Sequence, residues 1–204
     1  MVARPTIAPG IFLWRERLSP LQQKHLLGEV MAKLEEAPLY RPVMPGTGKP
    51  FSAEESNFGD LGWVSDKSGY RYQPTHPVTG KPWPAMPGAL LDLWAEINPP
   101  PGPECCLVNL YRGDAKMGLH QDRDEKDVSA AVIGLSLGDE GLFRIGGTAR
   151  GGKTTSLVLA SGDVIAFGGA ARLAFHGIDR IRPGSSRLLP GGGRLSLTLR
   201  RVMP

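Results

Sequence analysis

Two stretches in the first hundred residues carry apolar side chains at helical spacing, and the rest of the chain carries them in short alternating runs. Leu26, Leu27, Val30, Met31 and Leu34 share one stripe, which predicts an amphipathic helix. Ser19-Pro20 opens it, with Gln22 in the capping-box position, and Pro38 stops it. Leu90, Leu91, Trp94 and Ile97 predict a second helix over 87–97, broken by Pro99-Pro100-Pro101-Gly102-Pro103. Strand-like runs follow: Cys105–Tyr111, Ala131–Leu137, Leu142–Ile145, Thr155–Ala160, Asp163–Phe167, Leu173–His176 and Leu195–Leu199. Turn signals such as Gly151-Gly152, Gly168-Gly169 and Gly191-Gly192-Gly193 separate them. This order predicts an α+β, mainly β fold: a double-stranded β-helix of jelly-roll type, with the N-terminal helices packed outside.

Two stretches lack a clean period. Pro5 to Trp14 reads as extended chain across the surface. Residues 38–87 read as long loops and short strands rich in Pro, Gly and aromatics, and loops of that length in a compact domain usually carry function. Trp63, Tyr70, Tyr72 and Trp83 recur there among Lys67, Arg71 and Lys81. Aromatics interleaved with cations suit base stacking and phosphate tracking. Equally, such a loop can be pinned by its own aromatics, and Trp83, flanked by prolines, is read that way.

Composition narrows the class. The 204 residues fit one domain, divided into a helical and looped part over 1–100 and a β core over 104–201. With 41% apolar and 22% charged residues the chain has an ordinary core and surface. No run of about 18 apolar residues is present, so no membrane span or membrane partner is expected. The N-terminus lacks a small-residue cleavage pattern. Cys105 and Cys106 are adjacent, a poor disulfide geometry, and read as apolar filler of a strand in a reducing compartment. The expectation is a cytoplasmic monomer. Charge is uneven: residues 1–140 carry 14 cationic against 18 anionic side chains, and residues 141–204 carry 10 against 2. A basic last third suits a polyanionic partner.

The candidate chemistry lies in NLYRGDAKMGLHQDRDE, residues 109–125. His120 and Asp122 are two apart, and on an extended strand their side chains point the same way. A third ligand would complete the 2-His-1-carboxylate face that holds non-haem Fe(II) with open positions. Four histidines exist, at 25, 76, 120 and 176. His176, in LAFHGI, is the candidate, and His25 sits in the first helix as a surface or packing residue. The plainer alternative is a surface histidine beside a solvated acidic run of Asp122, Asp124, Glu125 and Asp127. Near the C-terminus, RLSLTLR alternates without a break. Arg194, Ser196, Thr198 and Arg200 share one face, and the two guanidiniums can converge on a short dicarboxylate, which Arg binds bidentately. Asn109 and Tyr111 share a strand face and can donate to the same anion.

Asn109-X-Tyr111, His120-X-Asp122, His176 and Arg194-X5-Arg200 occur in the order found in the AlkB family of Fe(II)/2-oxoglutarate-dependent nucleic-acid dealkylating dioxygenases. The resemblance covers about residues 60–201 and includes LGWVSDKSGYRY, GKPWPAMP, LHQDRDE, GDVIAFGG and RLAFHGI. It implies the jelly-roll core with a nucleotide-recognition lid, and Fe(II), 2-oxoglutarate and O2 as cofactor and co-substrates. His120, Asp122 and His176 resemble the iron ligands and catalytic centre. Arg194, helped by Tyr111, would hold the distal carboxylate of 2-oxoglutarate. Arg200 and Asn109 would hold the one nearer the metal. Trp63 would stack on the damaged base against His120, and Tyr70 would hold a phosphate. Asp124 would meet the exocyclic amino edge of the base, and Arg150 would lie on the nucleic-acid side.

The implied reaction is oxidative demethylation of bases such as 1-methyladenine and 3-methylcytosine in single- or double-stranded DNA, or in RNA, with release of formaldehyde, succinate and CO2. These lesions are cationic, so a carboxylate favours them over the normal base, and the lost pairing makes flipping easier. Three departures stand out. Ser196 replaces an asparagine of the family's co-substrate strand, Ala174 and Phe167 stand where larger or different aromatics often sit near the pocket, and residues 41–58, the first half of the lid, resemble the family little. The alternatives are a dioxygenase of the same core acting on a protein or small molecule, and a non-catalytic binding module.

Overall fold

A computed structural model describes residues 6–204, so Pro5 of the extended N-terminal stretch lies outside the described residues. The first helix, α1 (Pro20–Glu36), carries the expected cap. Ser19 Oγ accepts from the Gln22 amide, and Gln22 Oε1 accepts from the Ser19 amide at 2.9 Å. The second, α2, spans Gly88–Ile97. Their buried stripes are narrower than the sequence pattern suggested: Met31 and Leu91 are exposed, and Leu93 is buried instead.

The remaining chain is mostly strand. The elements are β1 (Thr6–Ala8), β2 (Ile11–Trp14), β3 (Glu54–Phe58), β4 (Gly62–Asp66), β5 (Gly69–Gln73), β6 (Cys105–Tyr111) and β7 (Met117–His120), followed by β8 (Val132–Gly138), β9 (Glu140–Gly146), β10 (Thr154–Leu159), β11 (Val164–Phe167), β12 (His176–Arg182) and β13 (Arg194–Arg200). They form a seven-stranded sheet of order β1-β2-β11-β8-β13-β6-β3, a four-stranded sheet of order β10-β9-β12-β7, and the β4-β5 hairpin. Every ladder is antiparallel. This is the mainly β, jelly-roll architecture that the alternating runs predicted.

Alternation on the large sheet decides where the core and the site go. Leu195, Leu197 and Leu199 of β13 join Cys106, Val108 and Leu110 of β6 and Ile133, Leu135 and Leu137 of β8 on one face. That face packs against Leu26, Leu27, Val30 and Leu34 of α1 and Leu90, Leu93 and Trp94 of α2. Each such side chain contributes roughly 1.5–3 kcal/mol on burial, so the two helices are the sheet's outer cover. The opposite face looks toward the small sheet, where Phe143, Ile145, Ile178 and Ile181 meet Val132 and Ile165. Polar residues on this second face line the cavity described below.

Three elements differ from the sequence pattern. The stretch read as surface chain up to Trp14 supplies β2, an interior strand of the large sheet with Ile11, Leu13 and Trp14 buried. The run expected over Leu173–His176 is not strand: a short 3-10 turn at Gly169–Ala171 and further turns precede β12, which begins at His176. Here Arg172 is drawn inward to pair with Glu125 and to donate to the Ala130 and Asp122 carbonyls, contacts an outward-facing strand residue would not make. Strand β3, EESNF, was invisible to an apolar period because Glu55 and Asn57 are buried polar residues.

Candidate active site

The floor of the site is the register of β6 and β13. Arg194 pairs with Tyr111, Ser196 with Asn109, and Arg200 with Cys105, so directly opposed side chains share the cavity face. The cavity has a volume of about 470 Å³ and reaches from these residues to Trp63, Tyr70, Asp124 and Arg150. Arg194 is 2% exposed; its Nη2 donates to Ser136 Oγ at 2.9 Å, while Nε and Nη1 have no hydrogen-bond partner. Burial pulls its pKa down. A guanidinium buried without a carboxylate is expensive, and an anion in the cavity would satisfy it. Asn109 Oδ1 is likewise buried and unpartnered. Room for the guanidinium depends on Gly141, where a Cβ would lie 2.8 Å from Arg194 Nε.

The candidate metal ligands come from the small sheet and the loop after it. His120 ends β7 and pairs in register with His176, the first residue of β12. Gly177 lets the strands approach, since a Cβ there would meet the Met117 carbonyl at 2.5 Å. Nδ1 of His120 is 2.9 Å from the Gly118 carbonyl, and Nδ1 of His176 is 3.0 Å from the Ala174 carbonyl. A carbonyl only accepts, so each Nδ1 carries a proton and each Nε2 is the ring nitrogen left to serve as a ligand. Burial lowers the His176 pKa to about 4, which keeps that imidazole neutral.

Asp122 does not stand on a strand with His120. β7 stops at His120, and Asp122 lies in the irregular segment beyond it. The carboxylate converges because the loop is held from below: Arg172 Nη1 donates to the Asp122 carbonyl at 2.7 Å, and Arg200 Nη2 donates to Asp122 Oδ1 at 2.9 Å. Burial opposes its ionisation, but Arg200, with His176 and His120, outweighs burial and holds the pKa well below the usual carboxylate range. Oδ2 is buried without a hydrogen-bond partner, 3.7 Å from His176 Nε2. The ligand atoms of His120, Asp122 and His176 lie within 4.8 Å of one another. Two imidazoles and an ionised carboxylate with a buried oxygen left without a hydrogen-bond partner fit a divalent iron.

The roof is the β4-β5 hairpin. Trp63 Nε1 donates to Asp124 Oδ2 at 2.8 Å, and the Trp63 ring stacks on Tyr70 with centroids 5.3 Å apart. Asp124 thus faces the roof, not the metal as an extended strand would have placed it. Arg150 lies at the mouth, over the Phe175 ring at 5.2 Å.

Comparison with known proteins agrees with this geometry. The family model of the 2OG-Fe(II) oxygenase superfamily matches residues 10–200. The alpha-ketoglutarate-dependent dioxygenase AlkB homolog of Caulobacter vibrioides is 55% identical over 99% of this chain and 92% of that protein. The chain belongs to the AlkB family of these oxygenases. AlkB of Escherichia coli is 36% identical over 88% of this chain and 84% of its own. The solved structure of OsALKBH1 superposes with a TM-score of 0.82 at 29% identity, covering 98% of this chain and all of that one. As a member of the family the protein is an Fe(II)/2-oxoglutarate-dependent dioxygenase, and its reaction needs Fe(II), 2-oxoglutarate and O2.

Within the family frame, sequence reasoning missed the residues that hold the site together. Glu125 is 7% exposed, not part of a solvated run. It accepts from Tyr72 at 2.5 Å and from Arg172 at 3.3 Å, and lies 3.5 Å from Arg200 Nε. An arginine inside the otherwise apolar ARLAF was the available signal for Arg172. The other two histidines serve elsewhere. His25 faces Glu29 on α1. His76 is buried, its Nδ1 accepting from the Val78 and Thr79 amides and its Nε2 facing the Pro38 carbonyl. Trp83 packs with Ala37 and Val64 in a satellite cluster, as its flanking prolines suggested. Both cysteines are free and buried on β6. Among the described residues no helix is long and apolar enough to cross a membrane.

Proposed function

We propose that the chain removes N-alkyl groups, of the 1-methyladenine and 3-methylcytosine type, from bases of DNA or RNA. The observation that carries this reading is the joining of two sites in one cavity. The His120, Asp122 and His176 cluster and the unpaired Arg194 lie at its base, and an aromatic pair with a carboxylate, Trp63, Tyr70 and Asp124, lies above them. An oxygenase of a small soluble substrate has no need of stacked aromatics on a projecting hairpin, whereas a flipped base needs a flat apolar surface.

His120, Asp122 and His176 would hold iron. Arg194 with Tyr111 would clamp the distal carboxylate of 2-oxoglutarate, and Arg200 with Asn109 the nearer one. Ser196 stands between Asn109 and Ser136 in the sheet register and is a shorter donor there. Bound iron and 2-oxoglutarate supply, with O2, the oxidation of the alkyl carbon, and the hydroxymethylated base then loses formaldehyde. Trp63 stacks the base, Asp124 meets its positive edge, and Tyr70 and Arg150 contact the backbone. Burial of the floor excludes water from the reacting carbon. Formaldehyde and succinate measured with methylated oligonucleotides, against 2-oxoglutarate alone, test the reading. Equal succinate with and without oligonucleotide, and no formaldehyde, rejects it in favour of a protein or small-molecule substrate.

A further inference from the structure

We propose that Glu55 is a substrate-reading residue, whose carboxyl takes a hydrogen bond from the donor edge of a cationic alkylated base. The proposal rests on the nucleic-acid reading above. Glu55 is fully buried and lines the cavity, and neither of its carboxyl oxygens has a hydrogen-bond partner. A buried carboxyl left without partners is costly, and in native proteins such a group calls for a ligand or another explanation.

Its place in the fold says which ligand. β3 is the edge strand of the large sheet, and Glu55 stands opposite Asn109, which stands opposite Ser196. Neighbouring strands are about 4.8 Å apart, so Glu55 is one strand from Asn109 and two from the strand of the arginines. The side it stands on is that of the roof. Phe51, four residues earlier, lies 6.3 Å from the Trp63 ring, and β3 runs directly into β4, which carries Trp63. The carboxyl therefore borders the cavity on the side of the aromatic pair, where a flat base enters, with Arg200 facing it from β13.

The groups that face it leave it free for such a ligand. They are Arg200 from β13, Tyr111 from β6 and Tyr40 from the segment bridged to β3. Arg200 is already held by Asp122 and Glu125. The Tyr40 hydroxyl is itself buried without a partner. Burial raises the Glu55 carboxyl to about 8 against the pull of Arg200. A base bearing positive charge and an amino donor would draw the carboxyl into its ionised form and satisfy it with a charge-assisted bond; a neutral base presenting a carbonyl at the same edge would meet the protonated carboxyl and gain only an uncharged hydrogen bond. Asp124 offers the same chemistry at the exposed mouth, but a buried carboxyl is less screened and discriminates more sharply.

The test compares the native protein with Glu55→Gln and Glu55→Leu on oligonucleotides carrying 3-methylcytosine, which is cationic, or 1-methylguanine, which is neutral. Binding by fluorescence anisotropy and kcat/KM for demethylation are read for both lesions, with the half-saturating 2-oxoglutarate concentration and a thermal melt for each variant. Glu55→Gln should lower the cationic-to-neutral ratio about tenfold, as loss of one charge-assisted contact does, and Glu55→Leu should lower it further. Half-saturation by 2-oxoglutarate should shift by less than about twofold. Folded variants with an unchanged ratio overturn the proposal. So does a large rise in 2-oxoglutarate half-saturation with the ratio intact, which would make Glu55 a co-substrate residue. A native protein that consumes 2-oxoglutarate but demethylates neither oligonucleotide overturns the nucleic-acid reading, and this assignment with it.

Discussion

On the floor of the cavity, Arg194 and Arg200 are 2% and 5% exposed and stand in register on a central strand, whereas on its roof Tyr70 is 50% exposed and rides on a two-stranded hairpin. The floor is held by two sheets and a ring in which Asp122, Arg200, Glu125 and Arg172 pair in turn and the Arg172 hydrogen bond to the Asp122 carbonyl closes the circuit. The roof touches that ring through Tyr72 on Glu125, and reaches the exposed Asp124 beside it through Trp63. A preorganised floor and a lightly tethered roof suit a reaction whose chemistry is fixed and whose substrate must enter and leave. The comparison predicts that floor variants lose chemistry outright, and that roof variants lose selectivity or affinity in graded amounts.

The largest effects belong to the metal ligands. His120→Ala, Asp122→Ala and His176→Ala should each abolish demethylation and succinate release, and chelation of iron should do the same. His25→Ala and His76→Ala should retain iron binding, measured by metal content after desalting. Turnover in a variant lacking all three ligands would separate the floor from the chemistry.

Arg194→Leu comes next and has two opposed outcomes. 2-Oxoglutarate affinity should fall by about a hundredfold, or roughly 3 kcal/mol, with loss of a charge-assisted clamp. The protein without co-substrate should be as stable as the native one or more so, because an unpaired buried cation has gone. Calorimetric titration and thermal melts read the two; a variant both destabilised and still tightly binding would contradict the assignment.

Glu55 lies at the seam between floor and roof, and besides reading the base it bears on stability. Burial raises its folded pKa to about 8, above the ordinary value of 4.5, so its contribution is fully present below about pH 4.5 and is lost as pH rises through 8. Glu55→Gln cannot ionise and escapes that loss. The native protein should therefore fall behind Glu55→Gln by a few kcal/mol, at about 1.4 kcal/mol per pKa unit, between pH 5 and pH 8. Parallel denaturation curves across that range would mean that the carboxyl finds a partner in solution.

On the roof, Asp124→Ala should leave iron binding intact and cut demethylation of cationic lesions about tenfold, near 1.4 kcal/mol, with neutral lesions affected less. Loss of iron would move Asp124 into the metal shell. Equal losses on both lesion classes would leave only its hold on Trp63.

How much of this was readable beforehand differs between the same two regions. The floor was legible because strand alternation turns spacing into direction: Leu195, Leu197 and Leu199 against Arg194, Ser196 and Arg200 need no further information. Helix α1 announced itself through Ser19, Pro20 and Gln22. The supports were hidden because each is polar and reaches across long separations: Arg172 to Glu125, Arg200 to Asp122, Tyr72 to Glu125. No local period records a contact of that kind. Glu125 looked solvated beside Asp124 because only the fold distinguishes neighbours in an irregular loop. β3 escaped for the opposite reason, since a strand whose cavity face is polar and whose every middle residue is buried has no apolar alternation to show.

The basic last third shows the same limit and sets the smallest expected effect. Ten cationic side chains over 141–204 suggested a polyanion surface, but Arg172, Arg194 and Arg200 are buried in the site. Arg144, Arg182 and Arg201 are engaged by Asp179, Glu140 and the pair Glu104 and Asp127. What remains for a phosphate backbone is Arg150, Lys153, Arg180 and Arg187, all exposed. Arg150 is the one at the cavity mouth. Arg150→Ala should weaken binding of methylated and unmethylated oligonucleotides alike, by a few-fold, and leave kcat unchanged at saturation. The slope of log affinity against log salt should shrink by about 0.7 for a single-stranded ligand, the value of one lost phosphate contact. A variant whose slope is unchanged, or whose loss falls on one lesion only, would take Arg150 off the backbone and assign it to the base.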